Sequence, residues 1–181
     1  MASLEGAGIF GVELFELPDG RVVLNEIAPR PHNSGHFTIE ACETSQFEAH
    51  IRAILDMPLG STDLQVGCSL MINILGTGNA AETKALIDRA AGVPGATLHW
   101  YGKAADKMGR KMAHITLVAS NMAALRQRAL LLGQENAINM LKHVAGATIG
   151  IIMGSDSDLP TMRAAAEVLD GLEVGDGGNE M

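Results

Sequence analysis

The chain has 181 residues, room for one ordinary domain or two small ones, and its 47% apolar content is enough for a core although aromatics are only 3%. A net charge of −8 excludes a nucleic-acid footprint, since the densest positive cluster is only Lys103, Lys107, Arg110 and Lys111. No run approaches the roughly 20 apolar residues of a membrane span, the first residues do not read as a signal peptide, and Cys42 and Cys68 form no CxxC pair and read as reduced, buried thiols.

Residues 9–17 and 21–27 are β-rich and are joined by Pro18-Asp19-Gly20, which predicts a hairpin. Counting back from that turn puts Glu13 opposite Asn25 or Glu26, to within one residue of register. Two acids that face each other between apolar strands repel and are costly to desolvate. Either both point to solvent on an edge hairpin, or a divalent cation neutralises them. A hard, all-oxygen pair of this kind suits Mg²⁺ carrying a phosphate-bearing ligand. The segment that follows, Asn25-Glu26-Ile27-Ala28-Pro29-Arg30-Pro31-His32-Asn33-Ser34-Gly35-His36, concentrates a carboxylate, a guanidinium, two imidazoles and two amides in a loop stiffened by two prolines.

Ser45 and Glu48 form a capping box for a helix with Phe47, Ile51, Ile54 and Leu55 as its buried stripe, ending before Pro58. His50 and Arg52 lie off that stripe and are expected in solvent. Residues 59–65 read as a polar connector, 66–75 as a buried strand, 76–79 as a loop, and 80–91 as a helix ended by Gly92 and Pro94. Strands at 97–101 and 112–118 flank the basic loop 102–111. A long helix from residue 121 to about 143 follows Ser120 as its cap. From residue 147 the pattern becomes strand (148–153), Gly-turn (154–158) and helix (159–169), the opening βα unit of a parallel α/β sheet. Residues 170–181 are Gly-rich and acidic and are expected to lack stable structure. A lone parallel strand is not covered on both faces, so 147–169 is expected to be loosely tied to the rest.

The run Gly11-Val12-Glu13-Leu14-Phe15 with residues 25–36 resembles the ATP-grasp carboxyaminoimidazole ribonucleotide synthetases of purine synthesis. Thr38-Ile39-Glu40-Ala41-Cys42, Thr44-Ser45-Gln46-Phe47-Glu48 and Gly109-Arg110-Lys111-Met112 with His114 extend the likeness over about residues 4–120. Gly154-Ser155-Asp156-Ser157-Asp158 resembles the phosphate-binding turn that opens the aminoimidazole ribonucleotide (AIR) carboxylase/mutase family. The two in that order are similar to the fused phosphoribosylaminoimidazole carboxylases of fungi and plants, nearer the fungal form because the first residues do not look like a transit segment.

The resemblance implies an α+β fold: the C-terminal part of an ATP-grasp domain at 1–60, a small β-rich synthetase domain with a linker helix at 61–145, and the start of a flavodoxin-like carboxylase domain at 146–169, before a divergent tail at 170–181. It implies ATP and Mg²⁺ as cofactors, with Glu13 and Glu26 as metal ligands and Asn25 beside them at the nucleotide. Arg30 and His32 would act in catalysis, and Asn33, Ser34 and His36 would line the pocket for carboxyphosphate and AIR. Arg110 and Lys111 would hold the ribose phosphate, and Ser155 and Asp158 would bind substrate on the carboxylase side.

The implied reaction is AIR carboxylation with ATP and bicarbonate, by a cytoplasmic enzyme that is homo-oligomeric at full length and meets neither nucleic acid nor membrane. The family's nucleotide-gripping lobe and its later carboxylase segment have no match here, so the chain by itself is expected to be inactive. The alternative is a non-catalytic interaction or assembly module derived from the same enzyme. Another ATP-grasp ligase is disfavoured by the Gly-Ser-Asp-Ser-Asp turn.

Overall fold

The computed structural model describes residues 6–17 and 19–133, with the backbone of 152–153. A hairpin of β1 (Gly11–Glu16) and β2 (Val22–Ala28) leads through a one-turn 3₁₀ helix (Asn33–Gly35) into α1 (Thr38–Ala41) and α2 (Gln46–Ile54). Then follow β3 (Cys68–Leu75), α3 (Ala80–Ala91), β4 (Ala96–Trp100), β5 (Lys111–Ala119), α4 (Met122–Leu132) and β6 (Ile152–Met153). The described part is α+β, and none of its helices is long and apolar enough to cross a membrane.

β3, β4 and β5 form an antiparallel sheet in the order β4-β5-β3, with β6 parallel beside β3. Strand alternation splits its side chains between two faces. Leu70, Ile72, Ile74, Ala113, Ile115 and Leu117 face α3 and α4, which add Ala90, Leu125, Ala129 and Leu132 to one buried cluster. The opposite face carries polar groups. Asn73, His114 and His99 stand in register across the three strands, with Thr116 opposite Thr97 below them. Register therefore turns one face into core and leaves the other to chemistry.

Helix α3 starts where Asn79 caps it, its side chain accepting from the Ala81 N–H, and stops at Gly92 as expected. Cys42 and Cys68 are free and buried, also as expected. Four expectations are corrected. The cap of α4 is Asn121, whose side chain accepts from the Ala124 N–H, and the helix ends at Leu132 because Gly133 takes a left-handed conformation (φ 68°). The α2 stripe is not buried: Phe47, Ile51, Ile54 and Leu55 are exposed, and Gln46 and Ala49 face inward instead. The capping box forms only in part, since Ser45 Oγ accepts from the Glu48 N–H while Glu48 Oε1 takes the Arg52 guanidinium. Finally, His50 is partly buried, its Nδ1 accepting from the Ile9 N–H.

Two residues of the expected strand at 148–153 do pair: Ile152 and Met153 lie beside Met71 and Ile72. That pairing adds them to the sheet beside β3. The turn at 154–158, the helix at 159–169 and the tail at 170–181 lie outside the described residues.

Candidate functional site

The hairpin register decides the acid pair. Glu13 stands directly opposite Glu26, so both side chains leave the sheet on one face. Leu14 then pairs with Leu24, which leaves Asn25 as an extra residue in a β-bulge. A bulge re-aims the side chain it carries. Asn25, which plain alternation would turn away from Glu26, donates from Nδ2 to Glu13 Oε2 at 3.1 Å. The one-residue uncertainty of the sequence count is this bulge.

Glu13 also reaches the loop, its Oε1 lying 3.5 Å from His32 Nδ1. The ring of His32 packs against β1 where residue 11 is glycine: a Cβ there would sit 2.6 Å from His32 Cβ. His32 Nδ1 is within hydrogen-bond distance of Ser34 Oγ. Arg30 is exposed, and its Nη1 donates to the Pro31 carbonyl. Asn33 opens the 3₁₀ turn, within which the His36 N–H donates to its carbonyl.

Sequence reasoning passed over Gln46. It is buried at the start of α2, and its Oε1 accepts from the His32 N–H at 2.9 Å. Its Nε2 donates to the His32 carbonyl and to His36 Nδ1, each at 2.9 Å. One amide thus ties both ends of the 32–36 turn to α2. Gly35 permits the approach, because a side chain there would collide with the Gln46 amide.

The turn docks on the polar face of the sheet through stacked rings. Phe47 and His36 have centroids 5.8 Å apart, His36 and His114 4.7 Å, and His114 and His99 4.4 Å, with interplanar angles of 18°, 23° and 12°. Tyr101 Oη lies 2.7 Å from His114 Nδ1, and Glu40 Oε1 lies 2.6 Å from His99 Nε2. Burial, then the neighbouring His36 and His99, holds His114 down to about 3. Burial first, then His99, Lys111 and His32, lowers His36 as well. Both imidazoles are neutral at pH 7.

The basic loop contributes unequally. A bulge at Met112 pairs Lys111 with Leu75, which puts Lys111 on the face of His114 instead of the core face of Ala113. Arg110 is exposed and donates to the Ala105 carbonyl at 3.2 Å. Lys103, not singled out as a site residue from sequence, donates to the Lys111 carbonyl and lies 5.1 Å from the centre of the Tyr101 ring. Thus Glu13, Asn25, His32, Ser34 and His36 form one connected group with Lys111 nearby, and Glu26 faces the same side as Glu13. Arg30 and Arg110 stand apart at the surface, and Ser155 and Asp158 lie outside the described residues. Glu40, Gln46, His99 and Tyr101 were missed. The alternation of His99 with Tyr101 and of Met112 with His114 was a usable signal.

Two family models match the chain: the ATP-grasp domain over residues 1–47, and the phosphoribosylaminoimidazole carboxylase C-terminal domain over residues 69–128. The phosphoribosylaminoimidazole carboxylase of Schizosaccharomyces pombe is 49% identical over 177 residues, covering 95% of this chain. The chain belongs to the phosphoribosylaminoimidazole carboxylase family. It spans 31% of the length of that relative. The N5-carboxyaminoimidazole ribonucleotide synthase of Synechococcus elongatus is 48% identical over 140 residues, which covers 75% of this chain and 35% of the synthase. Among solved structures, N5-carboxyaminoimidazole synthase from Aspergillus clavatus, in complex with ADP and 5-aminoimidazole ribonucleotide, aligns with a TM-score of 0.69 at 42% identity. That alignment covers 76% of this chain and 36% of the other.

Proposed function

We propose that this carboxylase-family chain supplies the metal-and-loop half of a site that carboxylates AIR with ATP and bicarbonate. The observation that carries the reading is the joining of the Glu13–Asn25–Glu26 bulge to the 32–36 turn through His32, within one continuous set of polar contacts. A phosphoryl donor at the acids and an acceptor at the turn would then be neighbours, and phosphoryl transfer depends on positioning of this kind.

Glu13 and Glu26 fit Mg²⁺ because they are hard oxygen donors that leave one face of the hairpin together. Among the described residues no three His, Cys, Asp or Glu side chains form a cage. Magnesium held by one or two carboxylates and completed by nucleotide phosphates needs none. Bound there, the ion would offset charge on the transferring phosphoryl group. Asn25 holds Glu13 in place beside the nucleotide. Arg30, which is exposed, and His32 serve the carboxyphosphate. Asn33, Ser34 and His36 face AIR, with Lys111 and Arg110 for its ribose phosphate. Ser155 and Asp158 belong to a carboxylase-side site. That assignment is supported by the length of the match, 177 residues with the carboxylase against 140 with the synthase. A cytoplasmic, homo-oligomeric full-length enzyme is part of the same reading.

A chimaera tests it: residues 6–133 of this chain replace the matching segment of the Schizosaccharomyces pombe carboxylase, and ADP release dependent on AIR and bicarbonate is measured. Turnover within about tenfold of the parent supports the reading; a folded chimaera with none overturns it. A second reading, an assembly module, is favoured by one observation. Val12, Leu14, Val22, Leu24 and Ile27 are all exposed on the hairpin, and contiguous apolar exposure marks an interaction surface. An assembly module would tolerate loss of the acid pair.

A further inference from the structure

The Gln46 amide has only one orientation compatible with its neighbours. Its Oε1 meets the His32 N–H, which can only donate, and its Nε2 meets the His32 carbonyl, which can only accept. The second N–H of Nε2 therefore points at His36 Nδ1, and that nitrogen must be unprotonated to receive it. A neutral His36 then carries its proton on Nε2. A cationic His36 would set an N–H against the N–H of Gln46.

The plane of the same ring is fixed separately. Phe47 and His114 both lie near-parallel to it, at 5.8 and 4.7 Å. His114 is itself held by Tyr101 and by the His99 ring, which Glu40 anchors. His114 is 3% exposed and its Nε2 has no partner, so a second proton there would be a buried, unmatched donor. The other titratable groups that act on His36 are Lys111 and His32, and Lys103 lies over the Tyr101 ring.

We propose that Gln46 and His114 are positioning residues: Gln46 sets the tautomer of His36, His114 sets its plane, and together they present a fixed Nε2–H donor to the site. That this donor faces AIR rests on the functional reading above; the tautomer and the plane do not.

The test is nitrogen-15 NMR of the histidine rings in the full chain, without substrate. At pH 7 the wild type is expected to show His36 with Nε2 protonated and Nδ1 bare. In Gln46→Glu the new carboxylate accepts from Nδ1, so the tautomer inverts and the His36 titration midpoint rises by roughly 1–3 pH units. In His114→Leu the Nε2–H tautomer persists, because Gln46 still donates to Nδ1, while the His36 ring protons lose the ring-current shift of their stacked partner. The wild-type spectrum and His114→Leu keep the proposal falsifiable if Gln46→Glu does not fold. A wild-type His36 protonated at Nδ1, a tautomer and midpoint unchanged in Gln46→Glu, or His36 ring shifts unchanged in His114→Leu overturns it. Failure of the chimaera to turn over would sink the functional reading and leave this tautomer measurement standing.

Discussion

Glu40 and His99 are joined by a 2.6 Å contact that spans 59 positions of sequence, and it ties α1 to the outer strand of the sheet. The pair is partly buried, with side-chain exposures of 14% and 29%. It anchors the far end of the ring run that begins at Phe47. Polar and stacked groups therefore help to hold the 30–46 segment to the sheet, beside the buried Ala41 and Cys42.

Removing Glu40 should loosen that attachment. Glu40→Ala leaves His99 Nε2 without its acceptor and is expected to cost about 1–3 kcal/mol, whereas Glu40→Gln keeps an acceptor and costs less. Urea unfolding of the three proteins at pH 7 checks the order. Equal stabilities would mean that the contact holds nothing.

Acid should weaken the same attachment. An unfolded histidine binds its proton near 6.5, but His114 in the folded chain does so only near 3. Protons therefore favour the unfolded chain between those values. Stability should fall as pH drops from about 6.5 toward 3, by about 1.4 kcal/mol per pH unit for this one group, and its contribution should level off below 3. The lowered His36 acts in the same direction. Unfolding free energies at several pH values, compared with His114→Phe, test this. The variant should show a shallower slope, and an unchanged slope would remove His114 as the cause.

The core and the exposed α2 stripe should respond in opposite ways to the same truncation. Leu117 is fully buried beneath α3 and α4, so Leu117→Ala should cost about 2–5 kcal/mol. Ile51 is 54% exposed, and Ile51→Ala should stay within about 0.5 kcal/mol. A large loss at Ile51 would show that α2 does bury this face.

This contrast also shows what the sequence could carry. Helix α3 was legible to the residue because Gly92 and Pro94 are local stop signals, and the hairpin was legible as an element because its turn chemistry lies within three residues, although its strands run over Gly11–Glu16 and Val22–Ala28. The stripe of α2 was legible as a pattern, but periodicity states which residues share a face and not what covers them. The long helix was drawn past Gly133 because a left-handed cap depends on a backbone angle that composition only hints at. Around the candidate site, the nearness of Glu13 to Glu26 was legible from the hairpin turn, and the 32–36 turn follows Glu26 closely along the chain. His99 and His114 were missed as a stack, since their pairing depends on the β4–β5 register. Gln46 was missed because a polar residue at a helix start looks like ordinary surface.

The acid pair carries the functional account, and the chimaera offers its most direct test. Glu13→Gln and Glu26→Gln, introduced singly, keep shape and hydrogen bonding but remove one hard anionic ligand each. At saturating Mg²⁺ and AIR, ADP release by each variant should fall on the order of 10²–10³-fold, the loss typical when one electrostatic partner of a transition state is removed. If both variants turn over at the rate of the unsubstituted chimaera, Glu13 and Glu26 do not hold the metal and the proposed site is wrong.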